Sequence, residues 1–211
     1  SDKGLRIAII GNMNNNGFTI MRYFRDLGFN AYLLPYSTDG IGNLSHFSPE
    51  ADTWDIDSWK YYIRPLNIPN SSRGIAQAIL SNVWPSQLKK DLLLNYDFFI
   101  GTGAAPAIFE AMKLRLDIFY PYGVGIEFYG DFEFLKGAKL SLLRSLVYGY
   151  IRRLQSKGIR KTRYCINPEM SITKDSFEEI GRSFFQLSVP VVYNREKNTQ
   201  ALLQPRISSV I

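Results

Sequence analysis

Short apolar segments alternate with segments of helical periodicity along most of this chain, and this alternation limits the possible folds more than any other feature. The first apolar segment, residues 5–10, stops at Gly11, and a helical stretch over residues 18–27 leads to a second apolar segment at 30–35. A strand, a helix and a strand within so short a stretch form a βαβ unit with parallel strands. The pattern therefore predicts an α/β fold.

The same alternation returns in the second half of the chain. We predict further strands at residues 96–101, 117–122, 162–167 and within 184–192, and helices over 73–94 (broken at Pro85), 106–116, 136–163 and 173–181, the last with Thr173 as its N-cap. Residues 36–72 form a long excursion with little periodicity. We therefore predict one Rossmann-like domain over residues 1–192, built on a doubly wound parallel sheet and followed by a linker or tail at 193–211.

The carboxyl ends of parallel strands meet at one edge of a sheet, where α/β proteins collect their ligands. The loop after the first strand is rich in asparagine, and it has neither a GxGxxG pattern nor a P-loop lysine. Asparagine amides both donate and accept hydrogen bonds, which suits a polyhydroxylated ligand better than a hydride cofactor, while ordinary turn chemistry is the alternative. The substrate-binding candidates at this edge are Gly11, Asn12, Asn14, Asn15, Asn16, Gly17, Gly101, Thr102, Gly103, Tyr122, Gly123, Glu127, Asn167 and Glu169.

Glu127 is the candidate catalytic residue, because it lies in a glycine-rich loop at the predicted edge. A carboxylate there acts as a general base or holds a sugar hydroxyl, and an ordinary surface carboxylate is the alternative. In the excursion, His46 is more typical of a surface or packing residue, and Trp54 and Trp59 either stack on sugar rings or anchor the excursion to the sheet. Cys165 lies in a predicted strand, and we expect it to be an inert buried thiol.

Positive charge is concentrated in one part of the chain. Nine basic residues lie between Lys136 and Arg163, whereas no Asp or Glu lies between Glu133 and Glu169. The rest of the chain has fewer basic than acidic residues, although the formal net charge is +6. A local excess of one sign implies a partner of the opposite charge.

The same segment has the periodicity of a helix with a broad apolar stripe. The stripe recurs at steps of three and four and consists of Leu140, Leu143, Val147, Ile151 and Leu154, widened by Leu146 and Tyr150. An apolar stripe edged by cations is typical of a helix on an anionic membrane surface. The membrane-surface candidates are Lys139, Arg144, Arg152, Arg153, Lys157, Arg160 and Lys161. A crossover helix packed on the sheet is one alternative, and a nucleic-acid-binding patch is another.

The composition excludes several kinds of site. One cysteine excludes an intrachain disulfide framework and a CxxC-type zinc site, and one histidine argues against histidine-based metal sites, so we predict no metal. The longest apolar stretch, near residues 98–109, is too short and too interrupted to span a bilayer, and no secretory signal precedes it. We therefore expect a cytoplasmic protein.

Several of these segments resemble a known family. Residues 6–12, the helix end at 27–29, the strand at 31–34 and residues 96–101 and 117–123 resemble the amino-terminal half of a GT-B fold glycosyltransferase. The resemblance is closest to the retaining family that builds bacterial capsule and lipopolysaccharide glycans, and it covers about residues 5–192. It implies an acceptor-binding domain, one half of a GT-B fold. In that family a second domain, which would follow the tail here, holds most of the nucleotide-sugar.

The resemblance also implies an activity: sugar transfer from a nucleotide-sugar, which is a substrate rather than a cofactor, to a lipid-linked or polysaccharide acceptor. It implies peripheral attachment to the cytoplasmic face of the inner membrane through the basic helix, and it places the loop from Gly11 to Gly17 over the donor phosphates. The chain alone would then have little activity. Several members of that family carry a histidine in a loop at this edge of the sheet, where this chain has Tyr122 and Gly123. The catalytic residue therefore stays unassigned.

Two other classes of function remain open at this point. The first is a non-catalytic small-molecule-binding module of flavodoxin-like fold. The second is a nucleic-acid binder that uses the basic helix, although we favour a membrane surface and no nucleic acid as the partner of that helix.

Overall fold

The computed structural model describes residues 4–12, 15–36, 56–66, 84–121, 142–168, 171–188 and 193. Within them the strands are β1 (Arg6–Ile10), β2 (Asn30–Leu34), β3 (Phe98–Gly101), β4 (Ile118–Phe119), β5 (Tyr164–Asn167) and β6 (Phe185–Gln186). The helices are α1 (Asn16–Asp26), α2 (Ile56–Trp59), α3 (Trp84–Asn95), α4 (Ala105–Ala111), α5 (Leu142–Lys161) and α6 (Ser171–Ile180), with a 3₁₀ turn at Lys60–Tyr62 after α2.

All six strands lie parallel in one sheet, in the order β2-β1-β3-β4-β5-β6. On the other side of β2, two further parallel bridges link Leu33 to Ile63 and Tyr36 to Leu66. The backbone N–H of Arg64 donates to the carbonyl of Leu33 at 2.8 Å, as in a regular ladder. Residues 63–66 thus occupy the edge position that the third strand holds in a Rossmann sheet. The predicted Rossmann-like α/β fold with a parallel sheet is confirmed.

Alternate residues of the central strand face opposite sides of the sheet. Ile7 and Ile9 pack with Phe18 and Met21 of α1 on one side. Ile10 packs on the other side, in a cluster that includes Leu92 of α3 and residues of α4 and α5. Helices therefore cover both faces, as a buried parallel sheet requires.

Helices α4 and α5 approach backbone to backbone at Gly158. A Cβ atom at this position would lie 2.1 Å from the carbonyl oxygen of Pro106, nearer than any real Cβ contact. Gly158 is buried, and its missing side chain is what lets the long helix lie directly on α4. Gly149, nine residues earlier on α5, would by contrast meet nothing within 4 Å.

The chain beyond β6 returns to α1 at Tyr193. Its hydroxyl donates to Asp26 at 2.5 Å, and its ring lies 4.5 Å from the guanidinium carbon of Arg22 and 5.0 Å from the ring centroid of Tyr23. Arg22, which is 1% exposed, also lies 3.9 Å from the ring centroid of Phe18. The first residue of the predicted tail therefore packs on the first helix.

One prediction about a helix is wrong. Helix α6 begins at Ser171, so Thr173 lies inside it and is not its N-cap. The predicted apolar stripe of α5 is buried only in part, because Ile151 is fully buried whereas Leu146 and Tyr150 are 64% and 46% exposed. The predicted helical segment at 73–83, the excursion at 37–55 and any strand at 189–192 lie outside the described residues.

Replacing Gly158 with alanine tests the contact between α4 and α5. The added methyl group would force the two helices apart, and we expect Gly158→Ala to lower the free energy of unfolding by about 1–3 kcal/mol. Gly149→Ala is the matched control on the same helix, and it should raise that free energy by about 0.5–1 kcal/mol, because alanine is the better helix former. Urea titration of both variants measures the difference, and equal effects would contradict the packing described.

Candidate functional site

The loops that follow β1 and β3 meet at the carboxyl edge of the sheet, which we call the rim. A Cβ on Gly11 would lie 2.6 Å from Cγ2 of Thr102, and Gly11 has a φ of +87°, which favours glycine. The hydroxyl of Tyr36, just beyond β2, donates to the carbonyl of Thr102 at 3.3 Å. Loops after three neighbouring strands are thus in direct contact, as the predicted parallel sheet requires.

Helix α1 starts against the end of β1. A Cβ on Gly17 would lie 2.3 Å from the carbonyl oxygen of Gly11, so a side chain at Gly17 would push the helix away from the loop. The first turn of α1 leaves its backbone N–H groups without partners inside the helix. The positive end of the helix dipole therefore lies at the rim.

Two of the rim asparagines shape the turn into α1. The Oδ1 atom of Asn12 accepts the backbone N–H of Phe18 at 2.8 Å, which satisfies one donor of the first helical turn. Asn15 takes the left-handed conformation, with a φ of 67°. These roles match the turn chemistry expected of asparagine.

Asn16 is different from these two. It is fully buried, and neither oxygen nor nitrogen of its side-chain amide has a hydrogen-bond partner in the part of the chain that the structure describes. A buried polar group left unsatisfied costs about 1–3 kcal/mol. Asn16 therefore carries the free hydrogen-bonding capacity at the start of α1.

Gln155 of α5 holds the loop after β3 from behind. Its Oε1 atom accepts the backbone N–H of Ala107 at 2.9 Å, and its Nε2 atom donates to the carbonyl of Gly103 at 2.9 Å. The side chain is fully buried. One amide thus satisfies a donor in the first turn of α4 and fixes the carbonyl of a rim glycine.

Asn167, the last residue of β5, shares the rim but does not touch these residues. Two strand spacings, about 10 Å, separate β5 from β3 in the sheet. The Nδ2 atom of Asn167 donates to Gln186 of β6 at 3.3 Å, and its buried Oδ1 atom has no partner among the described residues.

Some predicted site residues lie outside the described residues, and no geometry is assigned to them. They are Asn14, Tyr122, Gly123, Glu127, Glu169, His46 and Lys139. The described rim side chains are amides, the hydroxyl of Thr102 and the phenol of Tyr36. Such groups bind a ligand through hydrogen bonds, whereas proton transfer at neutral pH needs an acid or a base of suitable pKa.

Sequence reasoning missed Tyr36 and Gln155. Tyr36 carries a signal, because it follows a predicted strand and so had to lie at the rim. Gln155 lies four residues after Ile151, on the side of α5 that packs on the core, where a polar residue needs a buried partner.

Helix α5 divides into a buried side and an exposed side. Ile151 is part of the core, and Val147 and Leu154 pack against it, which confirms the alternative of a packed crossover helix for this side. Leu146, Tyr150 and Arg153 are exposed and are spaced by four and three residues. We call these three residues the outer face of α5.

Most of the predicted cationic surface is paired within the protein. The Nζ atoms of Lys157 and Lys161 lie 2.7 and 2.6 Å from the carboxylate oxygens of Glu110 on α4, whose side chain is 5% exposed. Arg152 approaches Glu179 at 3.7 Å, and Nε of Arg160 donates to the carbonyl of Ile180 at 3.0 Å. The side chain of Arg144 lies outside the described residues.

The lysine pair changes the titration of Glu110. Burial alone would raise the pKa of this carboxyl, but hydrogen bonds from Lys157 and Lys161 outweigh burial and lower the pKa below its ordinary value of 4.5. Glu110 therefore stays ionised at neutral pH and cancels part of the positive charge. Arg153, in contrast, has no partner among the described residues.

Two further observations concern the described residues alone. Cys165 is buried in β5, as expected, and burial raises the pKa of its thiol. No group of three His, Cys, Asp or Glu side chains comes together there as a metal site, and no described helix has the length and hydropathy of a membrane span.

No protein-family model matches this chain, and no curated protein matches it. The fold, the geometry of the rim and of α5, and the resemblance of the sequence are therefore the grounds for any function of this chain.

Removal of the Gln155 amide should loosen the rim. Gln155→Leu keeps the shape of the side chain but leaves the N–H of Ala107 and the carbonyl of Gly103 unsatisfied, so we expect a loss of about 1–3 kcal/mol in unfolding free energy. The amide of Ala107 should also exchange faster with solvent, as hydrogen exchange followed by NMR would show. Ser156→Ala is the control on the next residue, and unchanged exchange at Ala107 in Gln155→Leu would contradict this role.

Proposed function

We propose that this chain is the acceptor-binding domain of a bacterial glycosyltransferase, which transfers a sugar from a nucleotide-sugar to a lipid-linked or polysaccharide acceptor at the cytoplasmic face of a membrane. The observation that carries the proposal is the meeting of the β1 and β3 loops at one rim, beside the start of α1 and the unsatisfied amide of Asn16. Such a rim is where ligands bind in open α/β sheets. The resemblance of the sequence supports the choice of ligand.

The start of α1 suits the diphosphate of a nucleotide-sugar. Backbone N–H groups of the first turn and the positive end of the dipole attract anions at a helix N-terminus. In α1, the N–H of Phe18 already donates to Asn12. Gly11 and Gly17 keep side chains away from this position. Asn16 then supplies an amide that donates to a phosphate oxygen or pairs with a sugar hydroxyl.

The described residues supply groups for binding, whereas the candidate for catalysis lies elsewhere in the chain. Glu127 remains our candidate general base, and it lies outside the described residues. The described rim offers hydrogen-bonding groups, which position a substrate. Stabilisation of the leaving diphosphate falls to the second domain that the resemblance implies.

The outer face of α5 supports attachment to a membrane. Two exposed apolar side chains, Leu146 and Tyr150, stand beside the exposed cation Arg153 on one side of the helix. Apolar residues of this kind enter the interface of a bilayer, and each cation near an anionic surface adds about 1 kcal/mol. The pairing of Lys157 and Lys161 with Glu110 means that fewer cations serve this purpose than the sequence predicts.

A non-catalytic binding module is the second candidate function. The order of strands from β2 to β5 is also that of flavodoxin-like folds, and the described rim side chains contain no carboxylate or imidazole. Under this reading the rim binds a small molecule without any transfer of a sugar.

Binding of a nucleotide-sugar tests the role of the rim. We expect isothermal titration with uridine and guanosine diphosphate sugars to detect binding that Asn16→Ala weakens by about three- to tenfold, the effect of one or two hydrogen bonds. Asn30→Ala, at the exposed start of β2, is the control. The chain alone should transfer little sugar to acceptor glycans. Absence of any nucleotide-sugar binding would overturn the proposal, and robust transfer by the chain alone would overturn the need for a second domain.

Vesicle binding tests the outer face of α5. Arg153→Glu should weaken sedimentation with vesicles that contain phosphatidylglycerol by about tenfold, because one attraction becomes a repulsion. Lys90→Glu on α3 makes the same change of charge at another exposed site and should have little effect. Equal binding by both variants would contradict the role of this face, and salt-dependent binding to DNA without binding to vesicles would favour the nucleic-acid alternative.

A further inference from the structure

A groove runs between α3 and the edge segment 63–66, away from the meeting point of the β1 and β3 loops. It encloses a cavity of about 290 Å³. Leu34 and Leu66 line one end, and Leu34 pairs with Ile10, the residue before Gly11. The groove therefore starts next to the rim and continues down the side of the sheet toward Tyr96.

The floor of the groove is apolar and uncharged. Leu34, Leu66 and Leu92 are buried and belong to the core. Tyr96 also lines the groove, and burial raises the pKa of its hydroxyl although a hydrogen bond from Arg64 opposes this rise. The phenol thus keeps its proton at neutral pH.

One wall of the groove is a row of polar side chains on α3. Gln87, Asp91 and Asn95 are four residues apart, so they lie one above another on the same side of the helix and span about 12 Å. Nε2 of Gln87 donates to Oδ1 of Asp91 at 3.2 Å, and Nδ2 of Asn95 donates to the backbone carbonyl of Asp91 at 2.7 Å.

These bonds leave the row rich in acceptors. Oδ2 of Asp91, Oε1 of Gln87 and Oδ1 of Asn95 make no hydrogen bond to any described residue. Across the groove, the guanidinium of Arg64 lies 4.2 Å from the ring centroid of Tyr32 and brings donors to the other wall. A ligand here meets acceptors on one side, donors on the other and aliphatic carbon beneath.

We propose that this groove binds a neutral saccharide of one or two rings, as a subsite for the acceptor glycan. That the saccharide is an acceptor rests on the proposed function. That the ligand is a saccharide rests on the chemistry of the groove itself. A pyranose ring offers hydroxyls that both donate and accept at its edge and C–H groups on its face, which match the two walls and the floor.

Charge and length select this ligand among others. Asp91 repels an anion and Arg64 repels a cation. A free amino acid would satisfy both charges, but it is shorter than a row of acceptors that spans about 12 Å. The cavity volume is near the lower limit of small-molecule sites, which fits one or two rings rather than a long chain.

Saturation-transfer NMR on the whole chain tests the subsite, with glucose, galactose, N-acetylglucosamine and their disaccharides as probes and no nucleotide-sugar present. We expect transfer to at least one disaccharide, and a loss of affinity of about tenfold in Asp91→Ala. Asp175→Ala, which removes an exposed carboxylate from α6, is the matched control and should bind as the unchanged chain does. Leu88→Trp, which puts a larger side chain into the groove and leaves the three residues of the polar row unchanged, should abolish binding.

The outcomes separate this inference from the proposed function. Saccharide binding that depends on Asp91 and Leu88 upholds the groove even if no nucleotide-sugar binds at the rim. Nucleotide-sugar binding at the rim without saccharide binding in the groove overturns the groove alone. Saccharide binding unaffected by both variants, or binding of glycine and glutamine in place of saccharides, also overturns it.

Discussion

Parallel pairing of the strands is the constraint on which the rest of the structure depends. Parallel strands need helical crossovers, and the crossovers cover both faces, so the sheet is buried and only its ends and edges face outward. All strands end at the same side, which brings Gly11, Tyr36 and Thr102 into contact across 91 positions of sequence. An antiparallel sheet would have sent half of these loops to the opposite end.

The sequence predicted the parts of the fold that depend on local burial. Strands β1 and β2 agree with the predicted segments to within one residue at each end, because a buried parallel strand is a continuous apolar run that stops at a small or polar residue. The start of α6 was predicted less well: the helix begins at Ser171, two residues before the expected N-cap Thr173, because residue propensity alone does not fix a helix boundary.

The sequence predicted the position of the candidate site at the edge of the sheet, but it did not predict the contacts between its residues. Gly11 and Gly101 mark positions where a neighbouring side chain approaches closely, that of Thr102 at Gly11 and that of Ala105 at Gly101, and both glycines are visible in the sequence. The bonds of Gln155 to residues 48 and 52 positions earlier depend on how α4 and α5 pack, which no local pattern encodes. The same holds for charge: Glu110 lies far from Lys157 and Lys161 in sequence, so a count along the chain overstates the free positive charge.

Helix α5 connects an exposed surface directly to the rim. One side of this helix is exposed. On the other side, Gly158 contacts the carbonyl of Pro106, and Gln155 donates a hydrogen bond to the carbonyl of Gly103. Because both contacts are direct, a tilt of α5 would shift the loop after β3 at the rim, where we propose that the ligand binds.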